Sequence, residues 1–223
     1  MTRDTWTNVD RYHERLVVRP DEALDDALAS GDAAGMPAIA VAPNQGKLLM
    51  LLAQIAGATR VLEIGTLAGY STIWMARGLV PGGRIVTLEV DPHHAAVARA
   101  NFERAGVASL IDVREGRALD TLPALAHEKA GPFDLIFIDA DKQSIPEYFD
   151  WAVKLSRPGS VIIVDNVVRD GKVIDPATGD ANIDGVRRFN EILAHDRHVV
   201  ATTIQTVGSK GYDGFTLARV VTT

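Results

Sequence analysis

The chain has 223 residues, of which 47% are hydrophobic and 23% are charged, so a sizeable core can form without covalent cross-links. A formal net charge of −6 and a pI near 5.5 argue against nucleic acid or an anionic membrane surface as the partner. The absence of Cys excludes disulfides, thiolate metal sites and a Cys nucleophile.

The first 35 residues are predicted to form a polar, partly helical arm, followed by one domain over residues 36–223. No linker rich in Pro, Gly or Ser divides the chain, so we expect a single domain overall. Such an arm often packs against a partner subunit, and a loose tail is the alternative. The N-terminus has no apolar signal segment, and no apolar run reaches the roughly 20 residues that a membrane span needs. A soluble cytoplasmic protein is therefore expected.

Apolar runs alternate with helical patterns along the rest of the chain. The predicted helices include residues 43–54, 92–105 and 145–155. The predicted strands are, in chain order, residues 60–64, 84–90, 110–114, 133–139, 160–165, 198–204 and 215–221. This alternation indicates an α/β fold built from βαβ units, with a parallel sheet and helices on both of its faces.

The last two predicted strands differ from the others because only residues 206–214 lie between them. This connection is rich in Gly, Ser and Asp and is too short for a parallel crossover, which needs a dozen or more residues. We therefore expect a mostly parallel sheet with one antiparallel strand near the C-terminus.

Two glycines, Gly65 and Gly69, follow the first predicted strand in the segment VLEIGTLAGYS. Their G-x-x-x-G spacing differs from the G-x-G-x-x-G dinucleotide motif, and no G-x-x-x-x-G-K-[ST] phosphate loop occurs. Glu63, just before the glycines, would repel phosphate and attract an ammonium or sulfonium group. Glu89 ends the second strand, where an acidic side chain can bind both hydroxyls of a ribose. The pattern predicts a nucleoside ligand without phosphate, such as S-adenosylmethionine.

Two predicted strands end on side chains that carry oxygen donors. Asp139 follows the apolar run LIFI, and the pair Asp165 and Asn166 follows VIIV. Ligands of open α/β sheets bind beyond the carboxyl ends of the strands, and carboxylate and amide oxygens suit Mg²⁺ better than Zn²⁺. Each Asp could instead only cap the helix that follows it. Two such strand ends together favour a divalent metal site.

The chain from about Met36 onward resembles the cation-dependent O-methyltransferases of the caffeoyl-CoA and catechol type. The segments that carry the resemblance are VLEIGTLAGYST, LEVDP, FIDADK, PEYFDWAVKLSRPGSVIIVDN and DGFTLAR. The resemblance implies a Rossmann-like seven-stranded methyltransferase sheet and a homodimer. It also implies methyl transfer from S-adenosylmethionine to one hydroxyl of a small aromatic vicinal diol, chelated by a divalent cation such as Mg²⁺.

The same resemblance assigns roles to individual residues. Cofactor contacts are expected at Val41, Glu63, Gly65, Thr66, Gly69, Ser71, Glu89, Ala118 and Asp141. Metal ligands are expected at Asp139, Asp165 and Asn166, and the catalytic residues would be Lys142 and Asp139. Lys142 would accept or stabilise the phenolic proton, and a solvated surface Lys is the alternative.

Two positions depart from the family pattern. Ile145 stands where relatives often carry Tyr, and Arg169 stands where a Trp often follows the DN pair. We expect both positions to concern the acceptor pocket, with Arg169 and Tyr212 as the predicted acceptor contacts. Arg169 begins the loop of residues 169–182 and could bind a carboxylate or phosphate on the acceptor.

Three other functions are compatible with parts of the pattern. A metal-independent methyltransferase acting on nitrogen or nucleic acid predicts a basic surface or an N/D-P-P-Y motif, and the chain has neither. A nucleotide-dependent oxidoreductase predicts a glycine loop that accepts phosphate, which Glu63 opposes. A non-catalytic S-adenosylmethionine-binding protein would tolerate loss of the metal ligands, so the complete set of ligands argues against it.

Overall fold

A computed structural model describes residues 2–222. Met1 and Thr223, at the outer ends of the predicted arm and domain, lie outside the described residues. The α-helices are α1 (Arg3–His13), α2 (Glu22–Ala33), α3 (Pro43–Ile55), α4 (Tyr70–Gly78), α5 (Pro92–Arg104), α6 (Ala118–His127), α7 (Ile145–Lys154) and α8 (Ala181–His195). The strands are β1 (Arg60–Ile64), β2 (Arg84–Glu89), β3 (Ile111–Glu115), β4 (Phe133–Ile138), β5 (Ser156–Asp165), β6 (Val199–Gly208) and β7 (Gly211–Val220). A π-helical segment, Glu14–Val18, follows α1, and 3₁₀ turns occupy Ala108–Leu110, Lys142–Ser144 and Lys172–Ile174.

The seven strands form one sheet in the order β3-β2-β1-β4-β5-β7-β6. Strands β1 to β5 pair in parallel, and β7 is antiparallel to both of its neighbours. The predicted Rossmann-like sheet with one reversed strand is therefore confirmed. The chain builds outward from β1 to β3 and then crosses to β4 on the other side of β1. Ligands of open α/β sheets bind at this type of switch point, beyond the carboxyl ends of the strands.

The core lies on both faces of the sheet, because successive side chains of each strand point to opposite sides. On one face Leu62 of β1 packs with Ile136 of β4 and Phe149 of α7. On the other face Val61 and Phe137 pack with residues of α4 and α5. Every residue of β4 is buried, which explains its apolar run LIFI, and the one polar residue, Asp134, is hydrogen-bonded to Thr59 and Arg157.

The final hairpin is longer than predicted. Strands β6 and β7 pair all the way to Gly208 and Gly211, so only Ser209 and Lys210 connect them. The prediction that residues 206–214 form the connection was wrong. Most of β6 is exposed at the edge of the sheet, where polar side chains do not disturb strand pairing, and hydropathy alone therefore placed the strand end too early.

The described part of the predicted arm is bound to the rest of the protein. Asp10 of α1 accepts a hydrogen bond from the backbone N–H of Ser209 at 2.7 Å and another from Asn44 Nδ2 at 3.3 Å. Asp21, the N-cap of α2, forms an ion pair with Arg77 of α4 at 2.6 Å. The domain boundary at residue 35 stays a prediction. Within residues 2–222, none of the helices combines the length and the apolar character that a membrane crossing requires.

Candidate active site

A cavity of about 720 Å³ lies beyond the carboxyl ends of the parallel strands, at the switch point of the sheet. The predicted site residues that line it are Val41, Gly65, Thr66, Ser71, Glu89, Ala118, Asp139, Asp141, Lys142, Asn166 and Arg169. Four predicted residues do not line it: Glu63, Gly69, Asp165 and Tyr212. The structure therefore brings most of the predicted site together around one space and places the remaining residues behind or beside it.

Gly65 is required by the close approach of β1 and β4 at the cavity. Its φ is +100°, and a Cβ there would overlap the backbone carbonyl of Asp139. The two strand ends are joined by a hydrogen bond from the Asp139 N–H to the Ile64 carbonyl at 2.9 Å. A side chain at position 65 would therefore separate the glycine loop from the predicted metal ligand.

Glu63 lies beneath the cavity and is completely buried. Its carboxylate accepts hydrogen bonds from Ser71 Oγ at 2.5 Å, Thr87 Oγ1 at 2.7 Å and the hydroxyl of Thr72. Burial raises the pKa of Glu63 to about 7, and the three hydroxyl donors oppose that rise. Because Ser71 lines the cavity, Glu63 is linked to the cavity surface through this hydroxyl.

Glu89 holds the glycine loop in shape and borders the cavity. Its Oε2 accepts from the backbone N–H groups of Leu67 at 2.8 Å and Thr66 at 3.2 Å, and its Oε1 accepts from that of Asp91 at 3.0 Å. Each carboxylate oxygen can accept more than one hydrogen bond, so Glu89 keeps acceptor capacity for ligand hydroxyls. His94 Nδ1 lies 3.6 Å from Oε1 and also lines the cavity.

Asp141 stands where the chain turns after β4. Its carboxylate accepts from the Tyr148 hydroxyl at 2.5 Å and from the Ser144 N–H at 3.1 Å. Desolvation opposes ionisation of Asp141, but these hydrogen bonds outweigh it and hold its pKa below the ordinary value. Burial and the hydrogen bond to Asp141 raise the pKa of Tyr148, so this phenol stays a donor at neutral pH.

Asp139 and Asp165 lie side by side, because the register of β4 and β5 pairs Ile138 with Val164 immediately before them. Lys142 Nζ lies 2.8 Å from Asp139 Oδ1. Burial and the neighbouring Asp139 carboxylate raise the pKa of Asp165 to about 7, while Lys142 lowers it.

The oxygen donors at these two strand ends fit a divalent cation. Two carboxylates face a single Lys ammonium, which leaves one negative charge uncompensated, and Asn166 of the predicted ligand set also lines the cavity. A set of two carboxylates and one amide oxygen has the chemistry that Mg²⁺ prefers. Among residues 2–222 there is no group of three or more His, Cys, Asp and Glu side chains placed to hold a metal.

Helix α8 packs directly against the turn that carries Lys142. A Cβ on Gly185 would overlap the Lys142 carbonyl oxygen, and Arg188 donates to the Gln143 carbonyl at 2.8 Å. Asn182, one turn before Gly185, lines the cavity. The helix therefore supports the turn and contributes to the cavity wall at the same time.

Several lining or supporting residues were not predicted from the sequence. These are His94, Arg117, Tyr148 and Asn182 in the lining, and Gln45, Thr72 and Thr87 behind it. Gln45 of α3 donates from Nε2 to Asp165 Oδ2 at 2.6 Å. No local pattern marks these residues, and the partner of Gln45 is 120 positions away in sequence.

Two residues that were expected at the acceptor pocket do not line this cavity. Ile145 is fully buried in the core at the start of α7 and does not line the cavity, because its side chain packs towards the sheet. Tyr212 lines a second cavity of about 740 Å³ bordered by α8 and β6, and its hydroxyl is hydrogen-bonded to Gln205. Of the residues expected at the acceptor pocket, only Arg169 borders the first cavity.

Comparisons of sequence and of structure with known proteins both find similarity to O-methyltransferases. A family model described as O-methyltransferase matches residues 21–221. A catechol O-methyltransferase of Niastella koreensis is 54% identical over 99% of this chain and 100% of its own. The structure of an O-methyltransferase from Bacillus cereus in complex with SAH is similar, with a TM-score of 0.97, 56% identity and coverage of 98% and 100% of the two chains. So is that of TomG from Streptomyces achromogenes, an O-methyltransferase involved in tomaymycin synthesis, in complex with SAM, with a TM-score of 0.96, 53% identity and 99% coverage of both chains.

Proposed function

This chain belongs to the O-methyltransferase family, and we propose that it transfers the methyl group of S-adenosylmethionine to one hydroxyl of a small aromatic vicinal diol bound to a divalent cation. The observation that carries the proposal is one cavity bordered both by the Gly65 loop and by Asp139 and Asn166, the residues that directly follow β4 and β5. The similar structures that contain SAM or SAH support the choice of cofactor, and the relative named catechol O-methyltransferase supports the acceptor class.

The glycine loop and the end of β2 are suited to a nucleoside with a positively charged sulfur. Glu89 has remaining acceptor capacity for the two ribose hydroxyls, and Gly65 lets the backbone approach the ligand closely. Ser71 offers a hydroxyl at the cavity surface, backed by the Glu63 carboxylate. When bound, the cofactor supplies an electrophilic methyl group on a sulfonium. Methyl transfer is then a single in-line displacement, so the protein contributes positioning and electrostatics rather than a covalent nucleophile.

Asp139, Asp165 and Asn166 would hold the cation, which would supply the positive charge that lowers the pKa of a chelated phenol. Lys142 is only 9% exposed, and its Nζ is directed at Asp139. Nζ therefore lies beside the proposed cation site, where Lys142 would accept or stabilise the phenolic proton. Both hydroxyls of a vicinal diol would bind the cation beside Lys142, and this would make the site specific for adjacent hydroxyls.

We expect the protein to act as a homodimer, as the family resemblance implies. The described arm carries exposed apolar side chains at Tyr12, Leu16 and Val17, with 53%, 55% and 59% of their surfaces accessible, which supports contact with another chain. Analytical ultracentrifugation would measure the association. A monomer at all concentrations would contradict this expectation without affecting the proposed reaction.

The proposed function is tested by methyl transfer from S-adenosylmethionine to a panel of catechols, including caffeic acid and dihydroxybenzoates, with Mg²⁺ and then with excess EDTA. Turnover that disappears with EDTA and returns with Mg²⁺ is the expected result. Turnover that is unaffected by EDTA would favour a metal-independent methyltransferase and remove the metal role of Asp139, Asp165 and Asn166. Cofactor binding without turnover of any catechol would favour a non-catalytic binding protein.

A further inference from the structure

Arg169 is a cation in the cavity wall, and none of residues 2–222 pairs with its side chain. Its guanidinium makes no ion pair or hydrogen bond with residues 2–222, and its Nε is buried without an acceptor. Buried donors in proteins are nearly always paired, and a buried charged donor without a partner is costly. The side chain is therefore placed for an acceptor that comes from outside the chain.

The backbone around Arg169 is held in an unusual conformation. Arg169 and Asp170 have φ values of +56° and +55°, which residues other than Gly rarely adopt. Asp213 stabilises this turn, because its Oδ1 accepts from the backbone N–H groups of Val168 at 3.0 Å and Arg169 at 2.9 Å. The carboxylate of Asp213 is thus used by the backbone, and the turn fixes the direction in which the Arg169 side chain leaves it.

The position of Arg169 relates it to the acceptor rather than to the cofactor. It follows β5 and lies three residues beyond Asn166, at the end of the cavity where the metal ligands were predicted. Arg117, the other Arg in the lining, follows β3, which forms the edge of the sheet on the far side of β1 from β4 and β5. A negative group on an acceptor bound near Asp139 would therefore meet Arg169 and not Arg117.

We infer that Arg169 is a specificity-determining residue that binds a carboxylate on the acceptor, so that the preferred substrate is an aromatic vicinal diol with an acidic ring substituent. This inference rests on the proposed function, which supplies the vicinal diol, and it adds that the substrate carries a negatively charged substituent. A monoanion matches the single unpaired guanidinium at this end, whereas a dianionic phosphate would add excess negative charge beside Asp139 and Asp165. The planar guanidinium can bind a carboxylate through two parallel hydrogen bonds, which a Lys ammonium cannot reproduce.

The test compares 3,4-dihydroxybenzoate with 3,4-dihydroxybenzamide, which has nearly the same shape but no charge. The ratio of their kcat/KM values is measured for the wild type, Arg169→Gln and Arg169→Lys. We expect the wild type to prefer the benzoate, and Arg169→Gln to lower the ratio by roughly tenfold or more, as loss of a charge-assisted hydrogen bond does. Arg169→Lys should retain part of the preference.

Lys172→Gln is the matched control, because Lys172 is an exposed cation of the same loop that does not line the cavity. It should leave the ratio unchanged, which separates a direct contact from general attraction of anions. A wild-type ratio near one, or an unchanged ratio in Arg169→Gln, would overturn the inference. If neither compound is methylated, the proposed function fails for this pair. The role of Arg169 is then decided by calorimetry, which compares binding of the benzoate and the benzamide to the wild type and the Arg169 variants in the presence of S-adenosylhomocysteine and Mg²⁺.

Discussion

Gln45 of α3 donates a hydrogen bond from Nε2 to Oδ2 of Asp165 at the end of β5, over 2.6 Å. The two residues are 120 positions apart in sequence, and Asp165 is only 4% exposed. The other oxygen of the carboxylate accepts from the Asn166 N–H at 2.8 Å. The orientation of this proposed metal ligand is therefore fixed by a helix that contributes no ligand itself.

We expect Gln45→Leu to weaken binding of Mg²⁺ or Mn²⁺ by roughly tenfold to a hundredfold, because hydrogen bonds to a ligating carboxylate set its orientation and basicity. Calorimetric titration of the protein with the metal measures this without turnover. Gln54→Leu makes the same change at an exposed position of the same helix and should leave the affinity unaltered. Equal affinity in Gln45→Leu and the wild type would show that Asp165 does not depend on this hydrogen bond.

Lys142→Met is expected to lower kcat by about a hundredfold or more, which is the usual contribution of a positioned proton acceptor. Binding of S-adenosylmethionine should remain within a few fold of the wild type, because the residues of β1 and β2 that are proposed to bind the cofactor are unchanged. The two quantities are measured by steady-state kinetics and by calorimetry. Lys154→Met, at an exposed Lys at the end of α7, is the control. A kcat of Lys142→Met close to that of the wild type would show that another group accepts the proton.

Glu63 predicts a dependence of stability on pH. Its pKa is raised from 4.5 to about 7 in the folded protein, so between these values the folded state binds more protons than the unfolded state. The free energy of unfolding must therefore decrease as the pH rises through this window, by on the order of 3 kcal/mol from this group alone.

Glu63→Gln should remove that part of the pH dependence, because the amide does not ionise. Urea unfolding at the two ends of the window, without ligands, gives the difference between the variant and the wild type. Glu147→Gln changes an exposed Glu and should leave the slope as it is. If Glu63→Gln keeps the wild-type slope, the pKa of Glu63 is not raised in the folded protein.

Gly65→Ala is expected to abolish measurable binding of S-adenosylmethionine and to lower the free energy of unfolding. A Cβ at this position overlaps the Asp139 carbonyl, in addition to the cost of a positive φ, so the β1 and β4 ends must separate. Gly82→Ala is a close control, since Gly82 has φ of +85° but no atom within 4 Å of an added Cβ. Comparable losses in the two variants would mean that the backbone angle, and not the close approach, makes Gly65 necessary.

The sequence predicted those parts of the site that depend only on neighbouring residues. The apolar run LIFI of β4, which Asp139 follows, reflects strand burial. The glycines after β1 reflect backbone geometry. Both effects act over a few neighbouring residues. The three predicted helices agree with α3, α5 and α7 to within one residue at each end. These features needed no knowledge of how distant segments meet.

The remaining features depend on contacts between distant segments. Gln45 carries no signal of its own, and it is identified only by the strand end that the fold brings next to it. Glu63 was predicted to contact the ligand. In the structure three hydroxyls surround its carboxylate, and one of them, that of Ser71, belongs to a residue that lines the cavity. A carboxylate at a strand end can point towards a ligand or beneath it, and a sequence motif does not separate these two arrangements.

The contact between Gly185 and the Lys142 carbonyl limits how this enzyme can be diversified. We expect substitutions at Arg169 and Asn182, which border the cavity, to alter the substrate range while the turn that carries Lys142 stays in place. A larger residue at position 185 would displace that turn and slow every acceptor alike. In directed evolution, position 185 should therefore be left constant, and libraries that vary the cavity wall should be built around it.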